Sequence, residues 1–254
     1  MKVIINADDF GRNHEVNLAI VEAFGKGYIT NATIMTNMPG YEEAVFLAKK
    51  HGFFDKVGLH LNFFSGKPLT EKIKKIPMFM DGDEMTSYPI LHKAGNLRKL
   101  ILPKKTRIAL REEAEAQIEK YLKSGFTQMH LDSHGHSHTI PSVYFSIRKS
   151  LLLAKFNTVR LSLNLFSKRN LYTKIYKIII NCFIKKDFKT ADYFTSASEY
   201  AEVINNKNLD DAKICEIMVH PSYDQGELVN SKNVGFEELI VKCNKQKMIS
   251  FNEV

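Results

Sequence analysis

Val3-Ile4-Ile5-Asn6-Ala7-Asp8-Asp9-Phe10-Gly11, near the start of the chain, is a short apolar run that ends in two adjacent acids and a turn. A run of this length closed by a turn signal reads as a buried strand. The pattern recurs at Ala32 to Thr36, Val57 to Leu61, Met129 to Leu131, Val159 to Leu161, Tyr193-Phe194 and Ile214 to Val219. Between the runs apolar residues fall at helical spacing, as in Val16, Ile20, Ala23 and Phe24, or Ile108, Ala109, Ala116, Ile118, Tyr121 and Leu122. Strand and helix therefore alternate, which implies parallel strands joined by crossover helices. The persistence of this alternation predicts one α/β domain over residues 1–254, a closed barrel of roughly TIM type, with an open doubly wound sheet as the alternative. The glycine fingerprint of a dinucleotide site is missing, because NADDFGR sets acids where a phosphate would need backbone amides.

From Phe63 to Lys105 the pattern lapses, with Pro68, Pro77, Gly82, Pro89, Gly95 and Pro103 spread among lysines and aromatics. This segment is expected to be a long excursion over one end of the barrel, either a lid or substrate wall or a plain surface insertion.

Composition narrows the class. At 254 residues, with 44% hydrophobic and 25% charged residues, the chain can bury a core without staples. Its three cysteines, Cys182, Cys215 and Cys243, form no C-x-x-C pair, so a reducing, cytoplasmic setting is expected and no thiolate zinc site. Asn6 and the two aspartates interrupt the first apolar run before a signal-peptide core could form. The longest apolar stretch, Ile175 to Ile184, contains Lys177 and Asn181 and falls short of the ~20 residues of a membrane span. A net charge of +8 leaves room for nucleic acid, an anionic glycan or a lipid surface as partner. Lysines and arginines alternate with acids, however, as in Arg111-Glu112-Glu113 and Glu119-Lys120, the pattern of a solvated helix face. No stacking aromatics interleave a basic stripe, so no nucleic-acid partner is expected. A homodimer is left open.

Four places could carry chemistry. Asp8 and Asp9 stand at the carboxyl end of the first strand, where barrel catalysis sits, and can converge only if the chain turns there; the plainer reading makes Asp9 a helix cap. In Val57-Gly58-Leu59-His60-Leu61-Asn62, His60 and Asn62 have inward parity if Val57, Leu59 and Leu61 face the helices. His130-Leu131-Asp132-Ser133-His134-Gly135-His136-Ser137-His138 packs four of the nine histidines into nine positions and adds an aspartate, a mixed N/O set suited to a catalytic divalent ion. His134 and His138 would share a face if this loop were helical. His220 follows the last run, Pro221 stops that strand, and a histidine at the barrel mouth could serve as general acid. Arg160 is a lesser candidate that would keep a neighbouring carboxylate ionised.

NADDFG, GLHLN with GKPLT, HLDSHGHSH and EIMVHP, in this order from Lys2 to about Asp224, resemble the motifs of the YdjC-like carbohydrate deacetylases, which include the chito-oligosaccharide deacetylases. The resemblance implies a deformed (β/α) barrel that binds one divalent metal and removes acetyl groups from N-acetylated sugars. On matching positions it makes Asp9, His60 and His134 the metal ligands, Asp8 the general base and His220 the general acid. Asn62, Asp132, His138 and Arg160 would then contact substrate or support the site. A weaker NodB-like analogy would bring in His138 as a ligand. Gly135, Ser222 and the segment after Arg160 depart from the family pattern, on the substrate side. Two imidazoles and a carboxylate favour Zn²⁺ over Mg²⁺ by ligand chemistry, although Mg²⁺ is often assigned to such proteins by resemblance; the ion is left open. The rival readings are another barrel metal hydrolase, such as a phosphoesterase, and a non-catalytic protein that binds anionic glycan.

Overall fold

Eight parallel strands, seven in one continuous order and a short eighth beside the first, build the sheet of the computed structural model, which describes residues 1–86, 100–165, 171–204, 210–231, 234–243 and 246–254. In chain order β1 is Lys2–Phe10, β2 Asn31–Ile34 and β3 Val57–Leu61. A small hairpin of β4 (Met80–Asp81) and β5 (Glu84–Met85) follows, then β6 (His130–Ser133), β7 (Thr158–Val159), β8 (Tyr193–Ser196) and β9 (Ile214–Val219). The parallel order is β7-β6-β3-β2-β1-β9-β8. Each of the seven apolar runs read in the sequence contains or overlaps one of these strands. The sheet curls into a half-barrel whose two ends meet through a single parallel bridge, Thr158 with Lys189, and through Asn164, whose N–H donates to the Phe194 carbonyl at 3.2 Å. This is the deformed barrel that was expected rather than an open sheet.

The helices His14–Gly25, Tyr41–Lys50, Lys104–Lys123, Pro141–Leu153, Leu171–Asp187 and Ala197–Val203 connect the strands. Val3, Ile5 and Ala7 of β1 join Ile20 and Ala23 of the first helix in the main core. Asn13, not Asp9, caps that helix, its Oδ1 accepting from the Val16 N–H.

Outside the 63–105 excursion, three strands had no signal in the sequence reading. β10 (Pro221–Asp224) and β11 (Glu227–Asn230) form an antiparallel hairpin directly after His220. β12 (Lys247–Met248) pairs with the start of β1, and the turn that follows sends Ile249 and Phe251 against Ile4. Phe251 also stacks on His130 with ring centres 3.5 Å apart, so this segment closes the amino-terminal end of the barrel.

Within the 63–105 excursion residues 87–99 lie outside the described residues. The described part is packed: Phe63, Ile73, Ile76 and Phe79 are buried. Its anchor corrects the reading of Glu113 as part of a solvated face. Glu113 is fully buried and accepts from the Leu69 and Thr70 N–H groups and the Thr70 hydroxyl at 2.8–3.0 Å. Gln117, one turn on, bonds both the N–H and the C=O of Asn62.

Candidate metal centre and its buried acid cluster

The two acids of β1 converge because the strand bulges between Ala7 and Phe10 and Asp9 takes a left-handed backbone, φ +70°. That conformation costs a residue with a Cβ about 1–2 kcal/mol. Gly11 completes the turn at φ +85°, where a Cβ would meet the Met35 carbonyl at 3.1 Å. Consecutive side chains that a flat strand would send to opposite faces thus reach the same mouth.

Asp9 Oδ1 lies 2.8 Å from His134 Nδ1 and 3.2 Å from His60 Nε2. On the far side of the His60 ring Nδ1 is 2.7 Å from Asp132 Oδ1, so an Nδ1–H donated there leaves the Nε2 lone pair facing Asp9. A carboxylate that orients an imidazole in this way is the usual support of a metal-ligating histidine. Burial opposes charge on His60, yet Asp132 above all lifts the ring to about 10: the surroundings draw positive charge. His134 stands at the rim, part exposed, and Arg12 reaches the other Asp9 oxygen from solvent at 3.3 Å.

A sealed cluster lies beneath. Arg160, fully buried, places its two terminal nitrogens 2.7 Å from the two oxygens of Asp8, one of them also 2.7 Å from Asp132, and its Nε 2.5 Å from Glu216. The guanidinium rests over the Phe194 ring, 4.7 Å from its centre. Asn6 and Thr33 add donors to Asp8 and Asp132. Burial alone would push the Asp8 carboxyl up, but Arg160 holds it well below the ordinary range. Glu216, with one guanidinium contact, is pushed by burial up to about 7.

Three groups have ligand atoms within 4.8 Å of one another among the described residues: Asp9, His60 and His134; Asp8, His60 and Asp132; and His130, Asp132 and Glu216. Each of the last two includes acids already ion-paired to Arg160. The first has two imidazole nitrogens aimed at one carboxylate oxygen and an opening to solvent, and its donor set fits a divalent ion.

The remaining candidates fall elsewhere. His134 and His138 do not share a helical face, because Gly135 and His136 break the turn with φ of +58° and +55°. His138 is engaged at both ring nitrogens, by the Ser133 hydroxyl at 2.5 Å and the Arg160 carbonyl at 2.9 Å. Both ring nitrogens are thus satisfied within the fold. Asn62 is bound up in its own loop, accepting from the Phe64 N–H and donating to Asn37 and the Ser65 carbonyl. His136 sits edge-on to Phe194. His220 is half-buried at the mouth, its backbone N–H held by Asn230 Oδ1 at 2.9 Å, near enough that its charge lowers the Asp8 carboxyl further. Sequence reasoning missed Asn6, Thr33 and Glu216. Asn6 and Glu216 carried a signal: each is a polar residue within an apolar strand, in step with Asp8 and His220 respectively.

Fold and site together describe a deformed α/β barrel with an Asp-His-His cluster at the carboxyl ends of its strands. Residues 2–247 match the YdjC-like protein family, and the chain belongs to it. A carbohydrate deacetylase of Clostridium beijerinckii is 30% identical over 264 residues, covering 100% of this chain and 96% of the relative. A carbohydrate deacetylase of Vibrio cholerae is 41% identical over 143 residues, 56% of this chain and 52% of the relative. The same fold appears in a crystal structure from Enterococcus faecalis V583, described as a cellobiose-phosphate cleavage protein, with a TM-score of 0.72, 21% identity and coverage of 99% and 98% of the two chains.

Proposed function

We propose that this chain is a metal-dependent hydrolase that removes N-acetyl groups from an amino sugar or oligosaccharide, giving acetate and a free amine. The observation that carries the reading is the convergence of Asp9, His60 and His134 beside an Asp8 locked to Arg160. Asp9, His60 and His134 would hold the divalent ion, which would supply Lewis acidity and acidify water for so weak a base as Asp8. Asp8 accepts the proton of the attacking water. Arg160 keeps Asp8 ionised and fixed in direction through its paired nitrogens. Asp132 fixes the tautomer of His60, and His220 protonates the departing amine. Ligand chemistry favours zinc over magnesium. One domain carries this activity, in the cytoplasm, on a sugar rather than a nucleic acid. The arginine already placed among the deeper acids speaks against the two-metal phosphoesterase reading.

The test is acetate release from a panel of N-acetylated saccharides, using metal-stripped protein with defined ions restored. Acetate should appear only with an ion restored; no release from any sugar, or release indifferent to metal, would sink the reading. On the same preparation His220→Ala should slow an amide far more than an activated acetyl ester, whose leaving group needs no proton.

A further inference from the structure

Two neighbouring helices on the flank of the barrel turn large apolar residues to solvent. The helix Leu171–Asp187 exposes Ile175, Ile178, Ile179 and Phe183, with Ile178 61% and Ile179 52% accessible. The helix Pro141–Leu153 exposes Phe145 and Leu153, the latter 71% accessible. Positions 175, 178, 179 and 183 follow the spacing of a core-facing stripe, yet they point outward, while Ile180 and Ile184 of the same helix fill the core. The two helices are fastened side by side. Phe145 meets Phe183 edge to face with centres 5.1 Å apart, and Asp187 accepts from Tyr144 Oη at 2.6 Å and pairs with Arg148. The exposed apolar residues of the two helices therefore meet where Phe145 touches Phe183.

Among the described residues every exposed charged side chain on these two helices is a lysine. Lys149, Lys155, Lys185 and Lys186 are exposed beside the apolar residues. Of the acids at their border, Asp187 is held by Arg148, and Glu115 accepts from the Ser150 hydroxyl. A bilayer rich in anionic lipid meets the same lysines with phosphate and the same isoleucines with acyl chain. At 17 residues the longer helix is about 25 Å long, and no described helix is long and apolar enough to cross a membrane. Its geometry is that of a helix lying in the interface plane.

We propose that this two-helix face docks on the surface of an anionic lipid bilayer. The probes are vesicles of phosphatidylcholine alone and of phosphatidylcholine mixed with phosphatidylglycerol, sedimented with the purified full chain. The chain should pellet with the mixed vesicles, less with phosphatidylcholine alone, and be released as salt rises. Ile178→Glu/Ile179→Glu and, separately, Lys185→Glu/Lys186→Glu should each lower binding ~10-fold or more. Both pairs lie on the surface, so melting temperatures should match the parent. Failure to pellet with the mixed vesicles overturns the proposal, as does wild-type binding by the isoleucine variant. Light scattering without lipid supplies a further arm: a dimer that Ile178→Glu/Ile179→Glu splits would assign the face to a second copy instead.

Discussion

Two acid clusters share the interior of the barrel and differ in how their charge is met. In the lower one, three carboxyls from β1, β6 and β9 surround Arg160, a cation covalently part of the chain. In the upper one, Asp9 faces two imidazoles and the solvent, and the cation paired with it among the described residues is the exposed Arg12. A fixed guanidinium keeps the carboxylates around it ionised and oriented. An opening with neutral nitrogen ligands serves where a cation must offer free positions to substrate and water. The same residue types thus make a support in one layer and a site in the other.

The division predicts different losses. In the upper cluster, His60→Ala or His134→Ala should strip bound metal and bring acetate release to background, while His136→Ala leaves metal content near wild type. Metal analysis showing the reverse would redraw the ligand set. In the lower cluster, Arg160→Met leaves three buried carboxyls without their cation and should cost about 3–5 kcal/mol in urea unfolding. A loss below ~1 kcal/mol would mean that water already serves these acids. Asp8 stands between the two layers: Asp8→Asn should keep the metal yet lower turnover ~10²-fold or more. Equal metal loss in Asp8→Asn and Asp9→Asn would erase the distinction between base and ligand.

The smallest expected effect is a slope in stability against pH. Glu216 moves from an ordinary 4.5 up to about 7, so between these values the folded chain holds a proton that the unfolded chain has released. Its contribution makes stability fall as pH rises through that window, and level off above it. Asp8 acts with the opposite sign. Its carboxyl is depressed in the fold, so its stabilisation is complete above the ordinary carboxylate range and is lost only as pH falls into strong acid. Glu216→Gln should remove the first slope in calorimetric scans and leave the second; an unchanged slope between pH 4.5 and 7 would count against the shift.

The strand positions were legible because strands buried on both faces must be apolar runs, and these stand out from their surroundings, Tyr193-Phe194 least of all. β10, β11 and β12 were not, since two- to four-residue strands of mixed composition carry no period. Asp8, Asp9 and His60 could be proposed from parity and strand ends, which depend on neighbouring residues alone. The weight of Arg160 could not. Its meaning comes from acids at positions 8, 132 and 216, brought together by three strands far apart in the chain. Glu113 misled for a related reason: an acid among charged helix residues looks solvated until the loop amides it accepts from are placed over it.

The placement of β1 has a consequence for how the chain is made. The strand that carries both acids precedes by about 200 residues the strand that takes one of its edges, β9, which begins at Ile214. At ordinary translation rates that partner follows roughly 10–40 s later. Through that interval β1 can pair with β2 alone, and its other edge stays exposed to any strand-forming neighbour on the ribosome. The strand carrying Asp8 and Asp9 therefore waits for a partner made much later in the chain, which makes its completion a late event in folding.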